Sequence, residues 1–249
     1  MKLLVAIMTC HKLDYFVNDN TVDYNTAKGR RCTSQTARVE AIRATYLKEL
    51  QKLGIDYKFF YGTQPRTPRQ TTRNKYIKPE PVILREALPD EVFLECGDNY
   101  TQNPQKMKAI IRYALDNEYD MLLRIDDDTF LWPERLLTLD ADYVGAGMPT
   151  EKNPNPEFHP GGCLFLSSHA MRVIHGSNIS NWADDVWIGK VMKQNHVRMD
   201  YITTSDGRSA IHNEWGEGYA VSPMLDTTEL ISAHSCMPDI MRQFYTGDG

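Results

Sequence analysis

Long apolar runs are missing from this chain. None approaches the roughly 20 residues that cross a bilayer, and Leu3 to Met8, after a single lysine, is too short for the apolar core of a secretory leader. Cysteine is scarce: Cys10, Cys32, Cys96, Cys163 and Cys236 are odd in number and never in C-x-x-C spacing. That pattern excludes a disulfide framework and a thiolate zinc site as organising devices. Internal repeats, low-complexity tracts and a G-x-x-x-x-G-K-[ST] phosphate loop are also absent. These absences predict a protein of a reducing cytoplasm (host cytoplasm if viral) with no membrane partner.

With 249 residues, 41% of them apolar, the chain can bury one substantial core. The expectation is one α/β domain over residues 1–249. Its net charge of -5 hides an asymmetry: Lys28 to Arg85 holds 14 Lys or Arg against 4 Asp or Glu, whereas residues 86–249 hold 12 against 26. A basic stretch of this kind suits a polyanion or a diphosphate, or simply solvates a face.

Apolar spacing predicts a strand over Lys2 to Met8 and one helix face through Val39, Ile42, Tyr46, Leu50 and Leu53. A strand follows over Ile55 to Tyr61. Gly62 to Pro79 reads as a basic, proline-punctuated loop, and Pro81 to Leu84 and Val92 to Cys96 as short strand candidates. A helix opens at Pro104, with Met107, Ile110, Ile111, Ala114 and Leu115 as its stripe. Tyr119 to Ile125, Tyr143 to Ala146, Gly162 to Leu166 and Val197 to Ile202 read as strands, and Met171 to Ile174 and Val186 to Met192 as helices. Strands alternating with helices predict a mainly parallel sheet.

Asp126-Asp127-Asp128 directly follows the apolar run Met121-Leu122-Leu123-Arg124-Ile125. Ligands of open α/β sheets collect beyond the carboxyl ends of strands, and three adjacent carboxylates repel unless a hard cation neutralises them. Mg2+ or Mn2+ fits oxygen ligands of this kind. The sequence therefore predicts a metal-nucleotide site, against the plain alternative that the acidic cluster caps a turn or faces water.

Five further segments flank the triplet. Arg38-Val39-Glu40-Ala41-Ile42-Arg43-Ala44-Thr45-Tyr46 precedes it, as does Asp98-Asn99-Tyr100 followed by Lys106. His159-Pro160-Gly161-Gly162-Cys163 and Asp184-Asp185-Val186 follow it, with His234-Ser235 near the end. In this order they resemble the β-1,3-galactosyltransferase and Fringe family of GT-A glycosyltransferases. The segments match R-x-A-I-R-x-T-W with Tyr46 for Trp, D-S-Y-x-N-L-T-x-K with Gln102 for Asn, and K-x-D-D-D-x-F with Arg124 for Lys. They also match G-G-G-Y-x-x-S with Cys163 for the third Gly, and E-D-V. Collinearity carries the resemblance; D-D-D or G-G alone is weak.

The resemblance implies a GT-A (Rossmann-like) fold, with a nucleotide-sugar part over about 1–130 and an acceptor and catalytic part over about 131–249. It implies metal-dependent, inverting transfer from a UDP-sugar to an acceptor hydroxyl, with Mn2+ or Mg2+ as cofactor. Asp128 would bind the metal with His234, a role for His234 that rests on the resemblance alone. Asp126 and Asp127 would hold the donor, together with Thr9, Arg38, Arg43, Lys106, Gly161 and Gly162. Asp185 would be the general base, with Asp184 the confounder; both are also good helix caps. The arginines read equally as surface charge, the glycines as a turn, and Trp182 and Trp187 as either acceptor platforms or core.

The acceptor stays open between a glycan and a hydroxylated base in phage DNA, which the basic segment would grip. A metal-dependent phosphoryl or nucleotidyl transferase and a non-catalytic nucleotide-sugar or glycan-binding module remain rival readings.

Overall fold

The computed structural model describes residues 1–9, 35–64, 86–98, 102–138, 141–149, 153, 155–212 and 225–247. Most of the basic loop, the candidate strand Pro81 to Leu84 and Asn99-Tyr100 lie outside the described residues.

A seven-stranded mixed sheet organises the chain. Its strands are β1 (Leu3–Met8), β2 (Asp56–Gln64), β3 (Glu91–Gly97), β4 (Met121–Asp126), β6 (Tyr143–Gly145), β7 (Cys163–Ser167) and β8 (Met199–Asp200), in the order β3-β2-β1-β4-β7-β6-β8. All six residues of β1 are buried, as expected of a central strand covered on both faces. Its side chains alternate, Leu3, Val5 and Ile7 entering one core and Leu4, Ala6 and Met8 the other.

Helices cover both faces. One core is built with α1 (Gln35–Ala44) and α2 (Leu47–Lys52); the other with α3 (Asn103–Asp116), α4 (Ser168–Gly176) and α5 (Asp184–Gln194). A C-terminal helix, α6 (Pro238–Thr246), joins the first core through Ile240 and Met241.

β1 pairs in parallel with both β2 and β4, and β2 with β3. The chain thus winds outward through β2 and β3, then returns to the other side of β1 as β4. The crevice beyond β1 and β4 is a topological switch point, where ligands of such sheets bind. Met8 lies opposite Asp126 there.

The sheet is α/β and mainly parallel, with one reversal: β7 runs antiparallel to both β4 and β6. The expected single helix from Val39 to Leu53 is broken at Thr45-Tyr46. Thr45 bonds back through its hydroxyl to the Ala41 carbonyl, and Tyr46 is fully buried with its hydroxyl on the Thr129 carbonyl at 3.1 Å. The strand expected from Val197 to Ile202 shrinks to Met199–Asp200, and the one expected from Tyr119 starts at Met121 because Glu118 takes a left-handed conformation.

A second small sheet, unread in the sequence, joins β5 (Phe130–Leu131), β10 (Ser232–Ala233) and β9 (Ile211–His212). Its two-residue strands carry too little periodicity to be seen.

Candidate metal and transfer site

Strand β4 delivers Asp126 to the switch point, and the turn after it holds Asp127 and Asp128. Thr129 N–H closes that turn on the Asp126 carbonyl at 3.1 Å. β5 then pairs antiparallel with β10, Ala233 opposite Phe130, so the next residue, His234, comes back beside Thr129 and Asp128. The Cys236 N–H on the Asp128 carbonyl at 2.7 Å fixes this return. His234 Nδ1 ends 3.2 Å from Asp128 Oδ1 and 3.2 Å from Thr129 Oγ1.

Asp126, Asp128 and His234 each turn a ligand-type atom into a space where all three lie within 4.8 Å. The polar neighbour of the buried Asp128 Oδ1 is the His234 ring nitrogen, an ion-pair contact at 3.2 Å outside good hydrogen-bond geometry. Two carboxylates and an imidazole gathered this closely fit a divalent cation.

Electrostatics sharpen the picture. Burial pushes Asp126 up to about 6, against the pull of Arg124 and His234. At Asp128 burial also opposes ionisation, but His234 and Arg38 outweigh it and hold the carboxyl well below its ordinary range. Burial would lower His234, yet Asp128 raises it. Asp127, raised mainly by burial, takes the Thr9 hydroxyl at 2.7 Å and Arg38 Nη1 at 3.1 Å. Arg38 also lies 3.4 Å from Asp128.

The Gly161-Gly162 turn enters β7 directly beside Asp126, whose N–H donates to the Gly162 carbonyl at 3.1 Å. Gly162 has φ +104°, and a Cβ there would sit 2.7 Å from the His234 ring. Glycine is required by conformation and by space. The Gly161 N–H donates to Asp185 Oδ2 at 3.0 Å, and Asp185 Oδ1 accepts from Val186 N–H at 2.7 Å. Burial and the adjoining Asp184 raise the Asp185 pKa. Both aspartates lie in the first turn of α5.

Of the residues read from the sequence, Thr9, Arg38, Asp126, Asp127, Asp128, Gly161, Gly162, Asp185 and His234 form one contact chain. Lys106 joins indirectly: almost fully buried, it bonds the Thr9 carbonyl and pairs with Asp98. Arg43 does not join. Its guanidinium is held by Asp90 at 2.9 Å and Glu91 at 3.3 Å, above the Phe59 ring, because its side of α1 faces the start of β3 rather than the switch point. Trp187 is fully buried core, whereas Trp182 is 59% exposed.

Sequence reading gave Arg124 no role, although a charge inside an apolar strand was itself the signal. Its Nη2 lies 2.9 Å from Asp126 and 3.2 Å from Asp184.

Sheet and site together define an α/β protein with an acidic, cation-ready centre at its switch point. Residues 37–153 match the family model described as Galactosyltransferase. That span, just under half the chain, includes Arg38, Lys106 and the aspartate triplet and ends before Gly161, Asp185 and His234. No curated protein matches the chain. Among solved structures it is similar to the catalytic domain of Drosophila β1,4-galactosyltransferase 7 in complex with xylobiose, at 14% identity and a TM-score of 0.39, covering 86% of this chain and 72% of that one. A mutant of the same enzyme in complex with manganese, UDP-Gal and xylobiose gives 14% identity and a TM-score of 0.40, over 86% of this chain and 72% of that one.

Proposed function

We propose that the protein is a metal-dependent, inverting glycosyltransferase of GT-A type that moves a sugar from a UDP-sugar to an acceptor hydroxyl. The observation that carries this reading is the convergence of Asp126, Asp128 and His234 at the sheet's switch point, the two aspartates lying inside the segment 37–153 that matches the Galactosyltransferase family model.

Asp126, Asp128 and His234 would hold Mn2+, which would supply positive charge to a departing diphosphate. Arg38 adds fixed positive charge beside the same carboxylates. Asp185 accepts the proton of the acceptor hydroxyl. The freed oxygen bonds to the anomeric carbon as the bond from that carbon to the β-phosphate oxygen breaks, and its electron pair leaves with UDP. Attack opposite the leaving group inverts the anomeric configuration. Backbone N–H bonds from Gly161 and Val186 aim the Asp185 carboxylate, and its raised pKa makes it a better base.

The donor test begins with UDP-galactose and extends to other UDP-sugars, scored by Mn2+-dependent thermal shift and UDP release. Saccharides and hydroxymethylated DNA serve as competing acceptors, with product read by mass spectrometry. Asp128→Ala should lose the Mn2+ shift and all turnover. Asp185→Asn should keep the shift and lose at least about 100-fold in kcat. Normal turnover by Asp185→Asn places the base elsewhere. Nucleoside triphosphate turnover would instead support phosphoryl transfer, and binding with no turnover a non-catalytic module.

A further inference from the structure

Strand alternation puts Leu122, Arg124 and Asp126 on one face of β4, beside Leu164 of the neighbouring β7 and on the side of the sheet whose core takes Trp187 of α5. A full charge at Arg124, 2% exposed, is therefore embedded in a helix-sheet interface. Its Nη2 makes ion pairs with Asp126, at the end of β4, at 2.9 Å and with Asp184, at the start of α5, at 3.2 Å, the Asp184 Oδ2 being held by charge and not by a hydrogen bond. Its Nη1 lies under the Gly161 turn, 3.6 Å from where a Cβ would stand. Nε and Nη1 are buried with no hydrogen-bond partner.

Such an arrangement is a poor way to gain stability. Each buried unmet donor is destabilising, and apolar side chains often replace buried ion pairs without loss. What the guanidinium does achieve is geometric: one planar group fixes the distance between the carboxylate of the cation cluster and the helix turn that carries Asp185.

We infer that Arg124 is a positioning residue, a buried clamp that holds the first turn of α5, and with it Asp185, in register with the Asp126 end of β4. The inference rests on the glycosyltransferase reading for its kinetic consequence, but the clamp itself is a property of the metal-free protein.

The test compares the intact protein with Arg124→Lys, Asp184→Asn and the double variant. Lysine keeps the charge but, on its shorter stem, cannot carry it to the Nη2 position between the two carboxylates, and Asp184→Asn keeps size while removing the partner charge. In the metal-free protein, amide exchange over residues 185–188 should speed up about 10-fold or more in each single variant. With donor and Mn2+, kcat should fall about 10-fold or more, since small misplacements of a catalytic group are costly. The donor KM and the affinity for UDP with Mn2+ should stay within about 3-fold. The double variant should be no worse than the worse single, because both remove one clamp.

Unchanged exchange in both single variants overturns the clamp. Loosened exchange with unchanged kcat leaves it merely structural and overturns the positioning role. A fall confined to UDP and Mn2+ affinity assigns Arg124 to the cation cluster alone. Should Arg124→Lys fail to fold, Asp184→Asn carries both measurements. A wild-type protein that transfers no sugar sinks the proposed function and the kinetic half of this inference, while the exchange measurement still decides the clamp.

Discussion

At the residue scale, the two neighbouring glycines of the β7 turn are not equivalent. A Cβ on Gly162 would meet the His234 ring at 2.7 Å on a backbone at φ +104°, whereas a Cβ on Gly161 would find its nearest neighbours, Arg124 and Asp185, at 3.6 and 3.7 Å. Gly162→Ala should therefore cost about 1–3 kcal/mol from backbone strain and push His234 off Asp128. Gly161→Ala should fold normally. Melting temperatures with and without Mn2+ check both: the first variant should melt lower and lose most of its Mn2+ response, and equal behaviour of the two would contradict the assigned geometry. Sequence reading gave these glycines one shared role, since only the positive φ and the returning His234 separate them.

At the scale of elements, the break between α1 and α2 is a device that the periodic reading missed. Val39, Ile42, Tyr46 and Leu50 do face the core as their spacing predicts, but Tyr46 also reaches across to the turn behind the triplet. Its hydroxyl donates to the Thr129 carbonyl, and its ring meets Phe130 edge-on at 5.5 Å. Tyr46→Phe should keep the ring contact and lose the bond, costing about 1–2 kcal/mol for a buried acceptor left short. Urea denaturation measures it; a loss below about 0.5 kcal/mol would mean that the Thr129 carbonyl finds another donor.

At the scale of the whole molecule, pH acts through groups the sheet buries. His159 is fully buried, takes the Gly147 N–H on Nδ1 at 3.0 Å, and is pushed by burial down to about 4. Its folded pKa lies below its ordinary 6.5. The stability tied to its neutral form is therefore complete above about pH 6.5 and is lost as pH falls toward 4. That part amounts to about 2 kcal/mol between pH 7 and 5. Asp126, raised to about 6, acts in the opposite sense, since the fold binds its proton more readily than the unfolded chain does. The His159 share is thus the difference between wild type and His159→Gln. The variant should lose less stability than wild type from pH 7 to 5 in urea titrations, and parallel curves would show that His159 is protonated without penalty.

Local features were legible in the order of residues alone. Apolar runs set the central strands, Pro104 started α3, and a carboxylate triplet after a strand marked the candidate site, because period, backbone restriction and charge repulsion act between near neighbours in the chain. Which distant groups meet was settled by packing. His234 reaches Asp128 through β5 and β10, two strands too short to carry a pattern. β7 runs backwards, and so sets Gly162 beside Asp126. Arg43 is drawn to Asp90 and Glu91, while Arg124 links Asp126 to Asp184. Those pairings depend on strand order and direction, which follow from how the whole chain packs its two cores and from no single stretch of it.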